Sequence, residues 1–345
     1  MNKIKYLLVY TIPLVTVVSF THGGIWSWST IFYAFIFLPL IDHILSVDSM
    51  NLTSSESKEA LQSSYYNLAL YGTVPVQIGF VIWFLVDVSS SELSTIDLVG
   101  KACSMGAMGS VLAINSAHEI GHRMGRVNKF LSKLLLTSVL YAHFYEEHNY
   151  GHHKNVGTYE DPATARKGEW LYVFVFRSII MGWINAWRLE YKRLTRRGGS
   201  SVSYRNEVLI WQLIQIAVLV SIYFFLGLTT LLCFIIASFL SIFILEAINY
   251  IEHYGLTREK VSEFRYEKVN PSHSWNADHQ IGRAVLFELT RHSDHHENPS
   301  KPYQLLQSPG NTPELPTGYP GMILLSLVPP LFFLIMHKRL EEYNG

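Results

Sequence analysis

The chain has 345 residues, of which 49% are hydrophobic, 14% aromatic and 16% charged, and its mean hydropathy is positive. Soluble domains carry about 25% charged residues, so this composition excludes an ordinary soluble domain and indicates a membrane protein. The formal net charge at pH 7 is zero, which argues against a nucleic-acid partner.

Six apolar stretches are candidates for helices that cross a bilayer. They form three pairs, each joined by a short turn, which predicts three helical hairpins and an all-α fold in a single membrane-embedded domain over residues 1–345. The predicted spans are 6–21, 25–41, 65–86, 96–117, 208–226 and 230–248. A signal peptide is the alternative for the first span, but a small-residue cleavage site is missing and a second span follows at once.

The distribution of basic residues predicts the orientation, because positive charge stays on the cytoplasmic side. The three hairpin turns contain no Lys or Arg, whereas almost all basic residues lie beyond the opposite ends of the spans. We therefore expect both termini on the cytoplasmic side of the inner (cytoplasmic) membrane. Lys101 is the exception, a few residues inside the fourth span, and is expected to extend outward to the interface.

Three further apolar stretches are interrupted by charges or prolines. Residues 130–144 and 170–187 contain or adjoin basic side chains, so we expect cytoplasmic or interfacial helices; one additional span would reverse the orientation of the basic loops. Residues 322–336 contain Pro329 and Pro330, which predicts two short helices at the interface.

Nine histidines lie at or beyond the cytoplasmic ends of the spans, in three clusters and one single position. They are His118, His122, His148, His152, His153, His253, His292, His295 and His296. Neutral imidazole is a preferred ligand of iron, zinc and copper, and steps of three or four residues place two side chains on one face of a helix. Interfacial histidine pairs and a structural single histidine are the alternatives for each cluster taken alone. Together the nine predict one polynuclear metal site at the cytoplasmic membrane boundary.

Nine imidazoles exceed the four to six ligands that one such ion takes, which indicates two metal ions. Zinc would support hydrolysis, whereas iron would support oxygen chemistry because it can change oxidation state. The ligands themselves do not separate these metals. A site that faces lipid meets hydrocarbon, which hydrolysis cannot attack, so the membrane setting favours iron.

The residues around these histidines closely resemble the integral-membrane alkane 1-monooxygenases of the membrane desaturase and hydroxylase superfamily. The histidine boxes at residues 118–122, 147–153 and 291–296 are shared across that superfamily. Residues 249–256 (Asn-Tyr-Ile-Glu-His-Tyr-Gly-Leu) are much more specific to hydrocarbon hydroxylases. The resemblance covers nearly the whole chain, up to residues 315–320.

This resemblance implies a di-iron centre held by the nine histidines. It also implies that dioxygen and two electrons convert the terminal methyl group of an alkane into a primary alcohol. The electrons would come from a separate rubredoxin, reduced by an NAD(P)H-dependent rubredoxin reductase, because Cys103 and Cys233 lie in apolar stretches and are too few for a rubredoxin module. Rubredoxins are acidic, so the basic run Lys192, Arg193, Arg196 and Arg197 is predicted to help docking; positive-inside sorting is the alternative reason for these charges.

Residues near the boxes are candidates to orient the metal-bound imidazoles by accepting their second ring proton. They are Asp161, Glu252, Asp294, Asn249, Asn276 and His273. Each could instead be a helix cap or a surface polar residue. The other histidines, which lack cluster spacing, are predicted not to be ligands; they are His22, His43, His143, His279 and His337.

The substrate is expected to enter from lipid through the interior of the helix bundle. Ala34 is small among large aromatic neighbours in the second span, so it is predicted to line a channel that admits a long chain. Hydroxylation of an aromatic methyl group, as in xylene, and desaturation or hydroxylation of a fatty acyl chain are alternatives with the same chemistry. A histidine-rich metal transporter is an alternative of another class, but the spans lack mid-membrane carboxylates or histidines for a translocation path.

Overall fold

The structure, a computed structural model, describes residues 3–196, 198–200, 202–263 and 265–344. Its helices are α1 (Lys3–Thr21), α2 (Gly24–Ile44), α3 (Ser54–Gln62), α4 (Ser64–Ser90), α5 (Thr95–Gly121), α6 (Arg126–Thr137), α7 (144–155), α8 (Leu171–Thr195), α9 (Glu207–His253), α10 (Gln280–Val285), α11 (His292–Glu297), α12 (Tyr319–Ser326) and α13 (Pro329–Asn344). Strands β1 (Lys260–Ser262) and β2 (Arg265–Tyr266) form a short antiparallel pair. The predicted all-α class is confirmed.

In the part of the chain that the structure describes, α1, α2, α4, α5 and α9 are long and apolar enough to cross a membrane. Helix α9 contains both the fifth and the sixth predicted spans. Its 47 residues are interrupted at Gly227, whose φ of 85° and ψ of 171° are not helical. Glycine adopts a positive φ without steric cost, so α9 has two helical parts, and five such helices are compatible with six predicted spans.

The hairpin turns lie at one end of the bundle. The backbone N–H of Gly24, in the first turn, donates to Asp97 Oδ1 at 2.5 Å, at the start of α5. Gly227 lines a surface pocket together with Ser91 and Ser94 of the second turn. At the other end of α9, Glu207 accepts a hydrogen bond from Lys129 of α6 at 2.5 Å. The bundle therefore has a turn end and an opposite end that carries the basic loops.

Lys101, expected to extend outward to the interface, points toward the turn end of the bundle but does not end in water. Its side chain is buried, and its Nζ donates to Asp87 Oδ2 at 2.6 Å and to the carbonyl oxygen of Phe20 at 2.9 Å. A buried charge needs a partner. Since α4 continues to Ser90, Asp87 lies within reach of Lys101, and the charge is neutralised inside the protein rather than in water.

The interrupted apolar stretches form separate helices beside the bundle. Helix α6 ends at Thr137, so residues 130–144 are not one helix. Helix α8 exposes Val173, Phe176, Ile180 and Trp183, at steps of three or four residues. One exposed apolar face is typical of a helix that lies in the membrane interface. The predicted break before Pro329 is confirmed, because α12 ends at Ser326 and α13 begins at Pro329.

Candidate metal centre

The nine predicted histidines lie together in two adjacent groups at the end of the bundle opposite the hairpin turns. Group one consists of His118, His122, His148, His153 and His295, and group two consists of His152, His253, His292 and His296. Within each group, one ring nitrogen of every histidine lies within 4.8 Å of all the others. Helices α5, α7, α9 and α11 contribute these residues, together with the position that directly follows α5.

The distances between ring nitrogens fit shared metal ions. In group one the Nε2 atoms of His148 and His153 are 3.0 Å apart, and those of His118 and His295 are also 3.0 Å apart. In group two the Nε2 atoms of His292 and His296 are separated by 2.9 Å. Two nitrogens about 2.1 Å from one ion are roughly 3.0–3.4 Å apart at neighbouring positions of an octahedron or a tetrahedron. Each group can therefore hold one metal ion.

The second box divides between the groups because of a local change in helix geometry. Residues His148–His152 form a π-helical turn within α7. The i→i+5 bonding of a π-turn aligns residues five apart, so His148 shares group one with His153 rather than with His152. The four-residue step from His148 to His152 therefore does not place these two side chains in one group. His152 points instead to group two, where its Nε2 lies 3.2 Å from Nε2 of His296.

The third box also divides between the two groups, here through ordinary α-helical spacing. In α11, His292 and His296 are four residues apart and share group two, whereas His295 lies on the neighbouring face and belongs to group one. The rings of His153 and His296, one from each group, have centroids only 4.6 Å apart. The two groups are therefore adjacent, and each of the second and third boxes contributes to both.

The environment keeps most of these imidazoles neutral. Burial, reinforced by neighbouring histidines, lowers the pKa well below the usual value for the rings of His148, His153, His292, His295 and His296. The same causes lower the pKa of His122 to about 3. A neutral imidazole has a free lone pair for a metal ion. The electrostatics of the site thus favour ligation over protonation.

His152 differs because it has a carboxylate partner. Its Nδ1 lies 2.9 Å from Asp161 Oδ2, and Thr164 Oγ1 donates to the same oxygen at 2.6 Å. Burial alone lowers the pKa of His152, but the charge and hydrogen bond of Asp161 outweigh it, so that the pKa is raised. An acceptor on Nδ1 directs Nε2 to the metal position. Asp161 therefore lies where it can orient the ring of His152.

Glu252 approaches His292 of group two. Glu252 Oε1 lies 3.2 Å from His292 Nδ1, near but not aligned for a full hydrogen bond, and it accepts a hydrogen bond from the hydroxyl of Tyr319 at 2.8 Å. Both Glu252 and His292 are buried. Glu252 therefore lies where it can orient His292.

Asn276 and His273 act through the backbone. The amide side chain of Asn276 accepts from the N–H of Ser293 at 2.9 Å and donates to Ser293 Oγ at 2.8 Å, which holds the start of α11. The ring of His273 pairs with Glu267 and with the N–H of Asn270, and only its backbone carbonyl reaches the ring of His253. Neither side chain accepts a proton from a histidine of the two groups.

The structure does not bring Asp294 and Asn249 to the histidine rings. Asp294 Oδ2 accepts from Lys301 Nζ at 2.6 Å and from the N–H of Gln307 at 2.7 Å. Asn249 Nδ2 donates to Glu246 at 3.3 Å. Asp294 lies between the ligand positions of α11 and faces away from them, so it anchors the following loop instead.

Sequence reasoning missed three buried residues next to the groups. Tyr319 binds Glu252, and Glu147 accepts a hydrogen bond from Asn185 Nδ2 at 3.1 Å. Glu246 accepts a hydrogen bond from the hydroxyl of Tyr141 at 2.6 Å. Burial, followed by the charge of Asp161, raises the pKa of Glu147 to about 8. An acidic residue in an otherwise apolar segment, as at Glu246, was the available signal.

The five histidines predicted not to be ligands lie outside both groups.

An apolar cavity of about 60 Å³ lies between the helices that carry the histidine groups. Ala34 of α2, Val111 of α5 and Ile248 of α9 line it, as does the ring of Tyr319. Val111 precedes His118 by two helical turns, about 10 Å along the axis. The cavity therefore lies about two helical turns from a histidine of group one, and Ala34 lies in its wall.

Comparison with known proteins agrees with this arrangement. The chain matches the fatty acid desaturase family over residues 98–323. It is 38% identical to alkane 1-monooxygenase 1 of Alcanivorax borkumensis, over 94% of this chain and 80% of that protein. It is also 38% identical to an alkane 1-monooxygenase of Pseudomonas putida, over 93% of this chain and 83% of that protein. The hydroxylase component of a Pseudomonas putida xylene/toluene monooxygenase is 26% identical, over 100% of this chain and 90% of that protein. The chain is thus an enzyme of the fatty acid desaturase family and belongs among its alkane 1-monooxygenases.

Proposed function

We propose that the protein hydroxylates the terminal methyl group of alkanes to primary alcohols, using dioxygen and a pair of iron ions held by the nine histidines. The observation that carries this proposal is the gathering of the nine histidines into two adjacent groups, with an apolar cavity about two helical turns from His118. The names of the relatives supply the substrate class.

Two iron ions, one in each group, would supply the reactivity toward dioxygen that imidazole side chains lack. The chain's own residues bind and orient these ions. Asp161 and Glu252 approach the Nδ1 atoms of one ring each, which leaves Nε2 free to ligate. The apolar wall around Ala34 and Ile248 excludes water and directs an unbranched chain toward the groups.

The electron donor in this proposal is a separate rubredoxin, reduced by an NAD(P)H-dependent reductase. Lys154, Lys192 and Arg196 line a surface pocket of about 550 Å³, and Lys154 directly follows His153 of group one. Among the described residues, no carboxylate lies within ion-pair distance of these three side chains. Arg193 is different, since its guanidinium is already held by Glu190 at 2.6 Å. Arg197, the fourth residue of the predicted basic run, lies outside the described residues.

The position of the basic loops supports an orientation in the inner (cytoplasmic) membrane, with both termini in the cytoplasm. The docking pocket and the histidine groups then share the cytoplasmic side, where a soluble electron carrier has access. Substrate would reach the site from the lipid.

The test is product analysis by gas chromatography and mass spectrometry. Cells that express the protein with a rubredoxin and its reductase are fed mixed alkanes, xylene and a fatty acid. We expect primary alcohols that disappear in His152→Ala and persist in His22→Ala, whose exposed histidine lies in a hairpin turn. Absence of any oxidised product from protein shown to contain iron would contradict the proposal.

The xylene/toluene relative supports one alternative, hydroxylation of an aromatic methyl group. The same feeding experiment separates the two functions, because the aromatic alternative predicts an arylmethanol from xylene and little alcohol from the alkanes.

A further inference from the structure

Residues 315–320 resemble the family, but the proposed function gives their side chains no role. The segment enters α12 at Tyr319, with Pro320 in the first helical turn. A Cβ atom at Gly318 would collide with Asp42 Oδ2 of α2, so glycine permits the close approach that brings Tyr319 into the interior. The side chain of Tyr319 is completely buried, with 0% of its surface exposed.

The hydroxyl of Tyr319 reaches the metal centre through one carboxylate oxygen. It donates to Glu252 Oε1 at 2.8 Å, and the same oxygen lies 3.2 Å from His292 Nδ1. A carboxylate with one fixed hydrogen bond has less freedom to rotate away from its second partner. Loss of the hydroxyl would therefore release the orientation of Glu252 and, through it, that of His292.

The aromatic ring of Tyr319 has a second environment. It lines the apolar cavity beside Ile248 and Ile323. Among the described residues that line this cavity, Ser110 also carries a hydroxyl, but that hydroxyl donates to the carbonyl of Ala107 in its own helix at 2.8 Å. Tyr319 thus contacts the cavity with its ring and Glu252, beside the histidine groups, with its hydroxyl.

We propose that Tyr319 is a positioning residue, which holds Glu252 so that Glu252 fixes the ring of His292 in group two. This inference rests on the proposed metal centre, because a histidine that binds no metal needs no fixed orientation. The hydroxyl carries the positioning, whereas the ring is part of the cavity wall.

The test compares purified Tyr319→Phe, Glu252→Gln and the double variant with the wild type. Tyr303→Phe is the matched control, because it removes an equally buried hydroxyl that donates to the carbonyl of Tyr66 at 3.1 Å. Two quantities are measured: the metal retained against a chelator, and the visible spectrum of the cobalt(II)-substituted protein. The spectrum reports ligand geometry and does not depend on turnover.

We expect Tyr319→Phe and Glu252→Gln to bind metal about 10-fold more weakly and to change the cobalt spectrum, as residues that orient ligands do. The double variant should match Glu252→Gln alone, because Tyr319 acts through Glu252. Tyr303→Phe should match the wild type. Wild-type retention and spectrum in Tyr319→Phe, or additive losses in the double variant, would overturn the inference.

A second variant keeps the test decisive if Tyr319→Phe does not accumulate. Glu252→Asp shortens the side chain by one methylene, so it cannot reach both Tyr319 and His292, and we expect the same loss of metal and the same spectral change. An unchanged spectrum in Glu252→Asp would refute the positioning role. Failure of the wild type itself to bind metal would refute the proposed function instead, so the two failures are distinguishable.

Discussion

Asp161 and His152 form a buried pair, with Asp161 Oδ2 2.9 Å from His152 Nδ1. The remaining contacts of Asp161 are also inside the protein: Thr164 Oγ1 donates to Oδ2, and the N–H of Ala163 donates to Oδ1 at 3.1 Å. The carboxylate therefore has a fixed direction, and it fixes the ring of His152 with Nε2 toward group two.

Replacing Asp161 by Asn should weaken metal binding 10- to 100-fold, because the amide loses the charge that supports the His152 ring. Metal content after dialysis against a chelator measures this loss. Asp294→Asn is the matched control, since Asp294 binds Lys301 and Gln307 rather than a histidine. Equal metal content in the two variants would contradict the role of Asp161.

Replacing Ala34 by Trp should shift the products toward shorter alkanes, because an indole ring would occupy a cavity of only about 60 Å³. The product distribution from a mixture of alkane lengths measures the shift. Phe37→Trp is the control on the same helix, since Phe37 is 52% exposed and does not line this cavity. An unchanged length distribution in Ala34→Trp would remove Ala34 from the substrate path.

Reversing the charges of Lys192 and Arg196 to Glu should raise the KM for rubredoxin at low salt and leave the rate with a small chemical reductant unchanged. The physical reason is that steering by exposed charges acts on encounter and is screened by salt. Lys338→Glu, on the exposed surface of α13, serves as the control. The docking proposal fails if the double variant and the control have the same KM.

Glu314 should make stability depend on pH. Burial, followed by the charge of Asp278, raises the pKa of Glu314 to about 7, although Thr312, Arg291 and Arg339 oppose the rise. The folded state then holds this proton more tightly than the unfolded state, so stability falls as pH rises from about 4.5 to 7.

The variant Glu314→Gln cannot ionise, so we expect it to have a higher Tm than the wild type at pH 8 and a similar Tm at pH 5. Thermal unfolding in detergent at both pH values provides the measurement. Glu341→Gln, on the exposed surface of α13, should follow the wild type at both. An equal Tm difference at pH 5 and pH 8 would argue against ionisation of Glu314.

The sequence was sufficient for the features that depend on local composition. Apolar length located the membrane helices, and Pro329 located the break between α12 and α13. The nine histidines were recognised because they cluster at the same ends of the spans. So many potential ligands at one depth indicate a shared metal site. Gly227 was predicted to lie in a turn, and the structure places a non-helical residue there.

The tertiary structure decided the features that depend on long-range contacts. The division of His148, His152 and His153 between the two groups follows from a π-helical turn that spacing rules for an α-helix do not predict. Lys101 pairs with Asp87 of α4. Asp294 binds Lys301 in the loop that follows α11 and does not contact the histidine rings. Tyr319 reaches Glu252 although 67 residues separate them in the chain. The order of residues specifies which side chains are available for the chemistry. Packing between distant helices specifies which of them meet, because each orientation depends on partners that are far away in the chain.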